Sequence, residues 1–191
     1  MKSGGKEQRV SKRVFNLPDK FFLIGFMGSG KSHWGKIWSA KTKLPFYDLD
    51  HRIEKAFKIT IAEIFEIKGE EKFRELERYH LRKFSRKKRY LLACGGGTPC
   101  FSDNLQWMKS EGTVIYLKAS PELIVQRLTH ETAHRPVIKN VKPSELLSFI
   151  KNKLTEREPF YLQADHVLNV EEFDEHTLSV FLIATSDDAK K

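Results

Sequence analysis

The chain has 191 residues, 40% of them hydrophobic, and a formal net charge of +9 at pH 7. That length and apolar content allow one domain with a substantial core, while no apolar run approaches the ~20 residues of a transmembrane helix. Two cysteines, Cys94 and Cys100, are too few for a disulfide framework and suit a reducing cytoplasm.

In chain order, residues 1–19 read as a flexible basic tail without the apolar stretch of a signal peptide. The first strand, Phe21–Ile24, runs into Gly25-Phe26-Met27-Gly28-Ser29-Gly30-Lys31-Ser32. This fits the phosphate-loop pattern G-x-x-x-x-G-K-[ST] in the required place, after a strand and before a helix (Lys31–Thr42). Glycines let the backbone fold around an anion, because they reach positive φ without a Cβ clash. The amides then point at phosphate from a helix N-terminus. Lys31 is placed to bridge the β- and γ-phosphates and the Ser32 hydroxyl to ligate Mg²⁺. The chain is therefore expected to bind a nucleoside triphosphate.

A second strand, Pro45–Asp48, leads into Tyr47-Asp48-Leu49-Asp50. With Leu49 turned into the core, strand alternation puts Asp48 and Asp50 on one opposite face, suited to a metal shell and an acceptor hydroxyl. Taken alone, the pair reads equally as a strand end capping the next helix. A helix is expected over Glu70–Arg86, where Arg74 has helix-spaced acids for partners. The basic residues Arg82, Lys83 and Arg86–Arg89 lie late in that helix, where cations complement its dipole. They lack the interleaved aromatics of an RNA-binding surface, so no nucleic-acid partner is expected.

The third strand, Tyr90–Cys94, opens into Gly95-Gly96-Gly97-Thr98-Pro99, a wall of bare backbone that suits close approach by a ligand. Further on come a helix (Asp103–Lys109), a strand (Val114–Leu117), and a helix (Pro121–Leu128) announced by Ser120-Pro121-Glu122. The polar stretch Arg127–Pro136 reads as a flap tipped by Arg135, within a mobile lid over about 129–140. His130 and His134 lack a third ligand and read as surface residues. Arg157 stands in Glu156-Arg157-Glu158-Pro159-Phe160-Tyr161, and a last strand covers Val167–Val170. Residues 185–191 read as a C-terminal tail. Alternating strands and helices predict a single α/β domain over 20–184, three layers deep, with a central parallel sheet. Its ligands should sit beyond the strands' carboxyl ends.

The ordered set of Gly-Phe-Met-Gly-Ser-Gly-Lys-Ser, Asp-Leu-Asp, Gly-Glu-x-x-Phe-Arg-x-x-Glu, the triple glycine, Arg135-Pro136 and Arg-x-Pro-Phe-Tyr resembles the shikimate kinases. These are phosphate-loop kinases of the nucleoside-monophosphate-kinase structural group. The match runs from Phe21 to about Val170. The resemblance implies ATP-dependent phosphorylation of the shikimate 3-hydroxyl in aromatic amino-acid biosynthesis. It implies an ATP site at Gly28, Ser29, Gly30, Lys31, Ser32, His33 and Arg135, with Mg²⁺ at Ser32 and Asp48. The shikimate site would comprise Asp50, Arg74, Gly95, Gly96, Gly97 and Arg157. Lys31, Asp50 and Arg135 would carry the catalysis, in a cytoplasmic monomer with no membrane partner. His33-Trp34 and Gln163 depart from the family pattern. A gluconate or nucleotide kinase of the same fold is the rival enzyme, and a regulatory module without catalysis the rival of another class.

Overall fold

The computed structural model describes residues 18–129, 138 and 141–188, without the side chains of 186–188. Five strands form one sheet in the order β2-β3-β1-β4-β5, with every neighbouring pair parallel. They are β1 (Lys20–Ile24), β2 (Phe46–Asp48), β3 (Tyr90–Ala93), β4 (Thr113–Lys118) and β5 (His166–Asn169). Phe21 to Ile24 and Tyr90 to Leu92 are all fully buried, as expected where helices cover both faces of a parallel sheet. In register, Leu23 lies beside Ala93 on one side and Ile115 on the other.

Seven helices accompany these strands among the described residues: α1 (Lys31–Thr42), α2 (Leu49–Phe57), α3 (Ile61–Arg82), α4 (Asn104–Glu111), α5 (Pro121–Leu128), α6 (Leu146–Tyr161) and α7 (Glu175–Asp188). The bounds of α1 and α5 match the sequence reading. At α5, Ser120 accepts the Leu123 amide at 3.2 Å and Pro121 opens the first turn, so the expected cap is present.

The long helix α3 differs from expectation at both ends. It begins at Ile61, where Thr60 and Glu63 form a reciprocal capping box. It bends at Gly69, whose φ of 74° and ψ of 169° are not helical. The expected start at Glu70 is therefore the restart after this kink. Beyond Arg82 the chain tightens into a 3₁₀ turn, Lys83–Arg86.

Two terminal assignments are also corrected. Asp19, placed in the tail, accepts the Tyr90 amide at 2.8 Å and so continues the β1–β3 pairing. Residues 185–188, also placed in a tail, belong to α7. No described helix is long and apolar enough to cross a membrane.

Candidate active site

The loop after β1 is shaped by its glycines. Gly25 has φ 139°, and a Cβ there would lie 2.6 Å from the Leu117 carbonyl oxygen, so only glycine fits. Gly30 caps α1 in the left-handed region, with φ 92° and no described side chain capping it. This leaves the helix N-terminus directed at the cleft. Lys31 Nζ donates to the carbonyls of Gly25 at 2.9 Å and Phe26 at 2.8 Å, so its ammonium lies along the loop. Ser29 is fully buried, its amide bonded to Phe26 O at 3.2 Å and its hydroxyl oxygen without a hydrogen-bond partner among the described residues.

Gly28, Gly30, Lys31, Ser32, His33, Asp48 and Asp50 line one cleft of about 670 Å³. Here the two aspartates meet, but strand alternation is not the reason. β2 ends at Asp48 and α2 begins at Leu49, so Asp48 is the helix N-cap and Asp50 lies in the first turn. Asp48 Oδ1 accepts the His51 amide at 3.3 Å, while its Oδ2 accepts the Ser32 hydroxyl at 2.6 Å. The capping reading of Asp48 is thus realised on one oxygen, while the other lies at the phosphate loop against Ser32. Leu49 is fully buried, as expected.

Asp50 sits against the triple glycine. A Cβ built on Gly95 would lie 2.8 Å from Asp50 Oδ1 and 2.9 Å from Glu77 Oε1, which accounts for glycine at this position. Burial, then the negative charges of Glu77 and Asp48, push the Asp50 carboxyl up to about 7. The Lys31 ammonium acts in the opposite direction. The result is a carboxylate able to take a proton near neutral pH. The cleft also contains Cys94, whose thiol is held well above its ordinary pKa by burial and by Glu77 and Asp50, and is therefore no nucleophile.

Both arginines reach the same loop from different helices. From α3, the Arg74 guanidinium covers Gly97, where a Cβ would fall 2.6 Å from Nη2. It also lies over the Phe101 ring at 4.1 Å and pairs with Glu77 at 2.9 Å and Glu70 at 3.1 Å. Its helical ion pairs, the bland reading of this residue, are therefore present. They also orient it. From α6, Arg157 Nη1 lies 3.4 Å from the Cβ position of Gly96, with its guanidinium over Phe26. Two cations thus flank a bare glycine backbone that adjoins Asp50.

A family model for shikimate kinase matches residues 27–183. The chain belongs to the shikimate kinase family. A shikimate kinase of Bacteroides thetaiotaomicron is 38% identical over 156 residues, 82% of this chain and 89% of the relative. One of Azobacteroides pseudotrichonymphae is 44% identical over 149 residues, 78% of this chain and 88% of that protein. The crystal structure of the Bacteroides thetaiotaomicron enzyme superposes with a TM-score of 0.81 at 34% identity, covering 91% of this chain and 99% of that one. Shikimate kinase from Acinetobacter baumannii, solved with shikimate, gives 0.79 at 28%, covering 91% and 96%. A gluconokinase from Sinorhizobium meliloti gives 0.53 at 15%, a likeness of fold alone.

Within this shikimate kinase framework, three further residues bear on the site that the sequence reading did not assign to it. Arg127 Nη1 donates to Gly28 O at 2.8 Å, holding the end of α5 against the phosphate loop. Its place in the polar stretch after β4 was visible, its target was not. Glu77, almost fully buried, accepts from Arg74 Nη1 and, at 2.6 Å, from Thr98 Oγ1. It sits three residues after Arg74 and so is one of the helix-spaced acids expected as its partners. The third, Tyr161, bonds to the glycine loop at Gly96 O, 2.6 Å away.

The departures from the family pattern sort differently. His33 is exposed and Trp34 turns inward, edge-on to Phe173 at 4.7 Å, and both line the cleft. Gln163 lies just beyond α6 on the surface, its side chain donating to Pro159 O at 3.0 Å. Arg135, His130, His134 and most of the expected lid lie outside the described residues.

Proposed function

We infer that the chain transfers the γ-phosphoryl group of ATP to the 3-hydroxyl of shikimate, giving shikimate 3-phosphate and ADP. The observation that carries this reading is the convergence of Arg74 and Arg157 on the glycine loop beside Asp50. An arginine fork suits a planar carboxylate, and the nearby carboxylate suits hydroxyls. A nucleoside monophosphate, which accepts the phosphoryl group on an already ionised phosphate oxygen, would have no hydroxyl proton for that aspartate to take.

Each residue then has a distinct task. Lys31 exchanges its loop carbonyls for the β- and γ-phosphates, which offer charge-assisted bonds in place of neutral ones. The open N-terminus of α1 holds the β-phosphate, with Gly28, Gly30, Ser32 and His33 around it. Arg74, Arg157 and the backbone of Gly95, Gly96 and Gly97 hold the acceptor so that its hydroxyl faces Asp50. Asp50 accepts the hydroxyl proton as the oxygen attacks. Arg135, from the lid, supplies positive charge as the phosphoryl group transfers. Catalysis on this reading is positioning and electrostatic stabilisation, without a covalent enzyme intermediate.

Mg²⁺ fits the residues present. Ser32 Oγ and Asp48 Oδ2 are two hard oxygens 2.6 Å apart at the mouth of the loop. No described cluster of three His, Cys, Asp or Glu side chains forms a protein-only cage. That is the donor set for an ion held mainly by phosphates and water. Such an ion would neutralise the developing phosphate charge. We take the enzyme as a cytoplasmic monomer with no nucleic-acid or membrane partner, its two cysteines unpaired.

The test is ADP release in a coupled assay with shikimate, gluconate and nucleoside monophosphates as acceptors. Turnover with shikimate alone is expected. Preference for another acceptor would overturn the assignment of Arg74 and Arg157.

A further inference from the structure

The Arg-x-Pro-Phe-Tyr run ends on a residue for which the proposed mechanism has no task. Tyr161 is fully buried at the end of α6, its ring tilted against Tyr116 with centroids 5.0 Å apart. Four residues after Arg157, it shares that residue's helix face. Its hydroxyl donates to Gly96 O at 2.6 Å. The Arg157 guanidinium lies against the same residue, its Nη1 3.4 Å from the Gly96 Cβ position. Phenol and guanidinium thus meet the glycine loop at one residue, the first through its carbonyl and the second against its α-carbon.

We propose that Tyr161 is a positioning residue for the acceptor site, its hydroxyl fixing the Gly96 carbonyl, and with it the backbone against which Arg157 lies, in the geometry that receives the shikimate carboxylate. This rests on the reading of Arg157 as a carboxylate-binding residue. An arginine loses many rotamers when a ligand pins it. A loop already held by the Tyr161 bond gives that arginine a fixed surface to lie on, so less ordering is left for binding to bear. Core packing alone would require the ring but not the oxygen.

The experiment compares Tyr161→Phe, Arg157→Ala and the double variant by calorimetric titration with shikimate and, separately, ADP. Tyr116→Phe serves as the packing control, since it removes a hydroxyl from the same ring pair. Tyr161→Phe is expected to weaken shikimate binding roughly three- to tenfold, the loss of one hydrogen bond, with ADP binding unchanged. KM for shikimate should rise far more than kcat falls. In the Arg157→Ala background the same change should add nothing, because the effect runs through the arginine. Unchanged shikimate affinity in Tyr161→Phe overturns the proposal. So does an equal loss in the Arg157→Ala background, or an equal loss in Tyr116→Phe. If Arg157→Ala binds shikimate normally, the reading of Arg157 falls as well. If Arg157→Ala is weakened and Tyr161→Phe is not, only the present proposal falls.

Discussion

Gly97→Ala separates the stability of the glycine loop from its function. Gly97 has φ −87° and ψ −17°, a conformation open to alanine, so the backbone imposes no penalty. The new methyl group would lie 2.6, 2.7 and 2.8 Å from Nη2, Nη1 and Cζ of Arg74. These are closer than real carbon contacts, so the guanidinium must move. It is the far end of a long side chain and can do so, at the cost of its 2.9 Å pair with Glu77 and its place over Phe101. Glu77 keeps its bond from Thr98, which limits the loss of stability to below about 2 kcal/mol. The functional loss should be larger in effect. A hydrogen bond to a charged group contributes about 1.5–3 kcal/mol, so displacing Arg74 should weaken shikimate binding by roughly ten- to a hundredfold. ADP binding should not change. Thermal unfolding and calorimetric titration of the purified variant measure both quantities. Wild-type shikimate affinity in Gly97→Ala would refute the placement of Arg74 at the acceptor. Gly25→Ala gives the contrast: its Cβ would meet a backbone oxygen at 2.6 Å and its φ is 139°, so stability itself should fall by several kcal/mol.

Asp50 links pH to both activity and stability. Because its carboxyl is held up at about 7, kcat/KM for shikimate should climb with pH through about 7 in the free enzyme, and a flat profile from pH 6 to 8 would remove Asp50 as the proton acceptor. The raised pKa also means that its contribution to stability is greatest at low pH and is lost as the pH rises from the ordinary aspartate range through about 7. Asp50→Asn should therefore melt higher than wild type at pH 8 while turnover collapses, as differential scanning calorimetry and the coupled assay would show. Lys31→Ala should abolish turnover, since it removes the charge placed for the β- and γ-phosphates; near-normal activity would sink the phosphate-loop assignment. Arg135→Ala should lower kcat much more than it raises the shikimate KM, because charge delivered to the transferring group acts in the transition state. A raised KM with unchanged kcat would place Arg135 at the acceptor instead.

What the sequence disclosed follows from how local each signal is. The phosphate loop and α5 were legible because their determinants are contiguous: an apolar strand, glycines at the turn, a Ser-Pro cap. The helix α2 was missed because Asp48-Leu49-Asp50 satisfies the alternation of a strand as well as the first turn of a helix. Only the cap bond from His51 N to Asp48 distinguishes the two. The first half of α3 was missed because Gly69 interrupts the pattern, and the reading started after the break. The partners of the two arginines lie furthest from sequence reach. Arg74 and Arg157 belong to helices separated by β3, β4 and their crossovers. Only the parallel register that sets Ala93 beside Leu23 brings the glycine loop between them. A motif can thus list the chemistry of a site in order along the chain, but the sheet decides which groups face each other across it. That decision is visible in the glycines. Gly95, Gly96 and Gly97 each stand where a Cβ would meet a different functional side chain, Asp50, Arg157 and Arg74 in turn. Gly95 and Gly97 are therefore two separate steric requirements, with contacts of 2.8 and 2.6 Å, while a Cβ on Gly96 would make an ordinary 3.4 Å contact, so substituting Gly95 or Gly97 should each weaken a different contact.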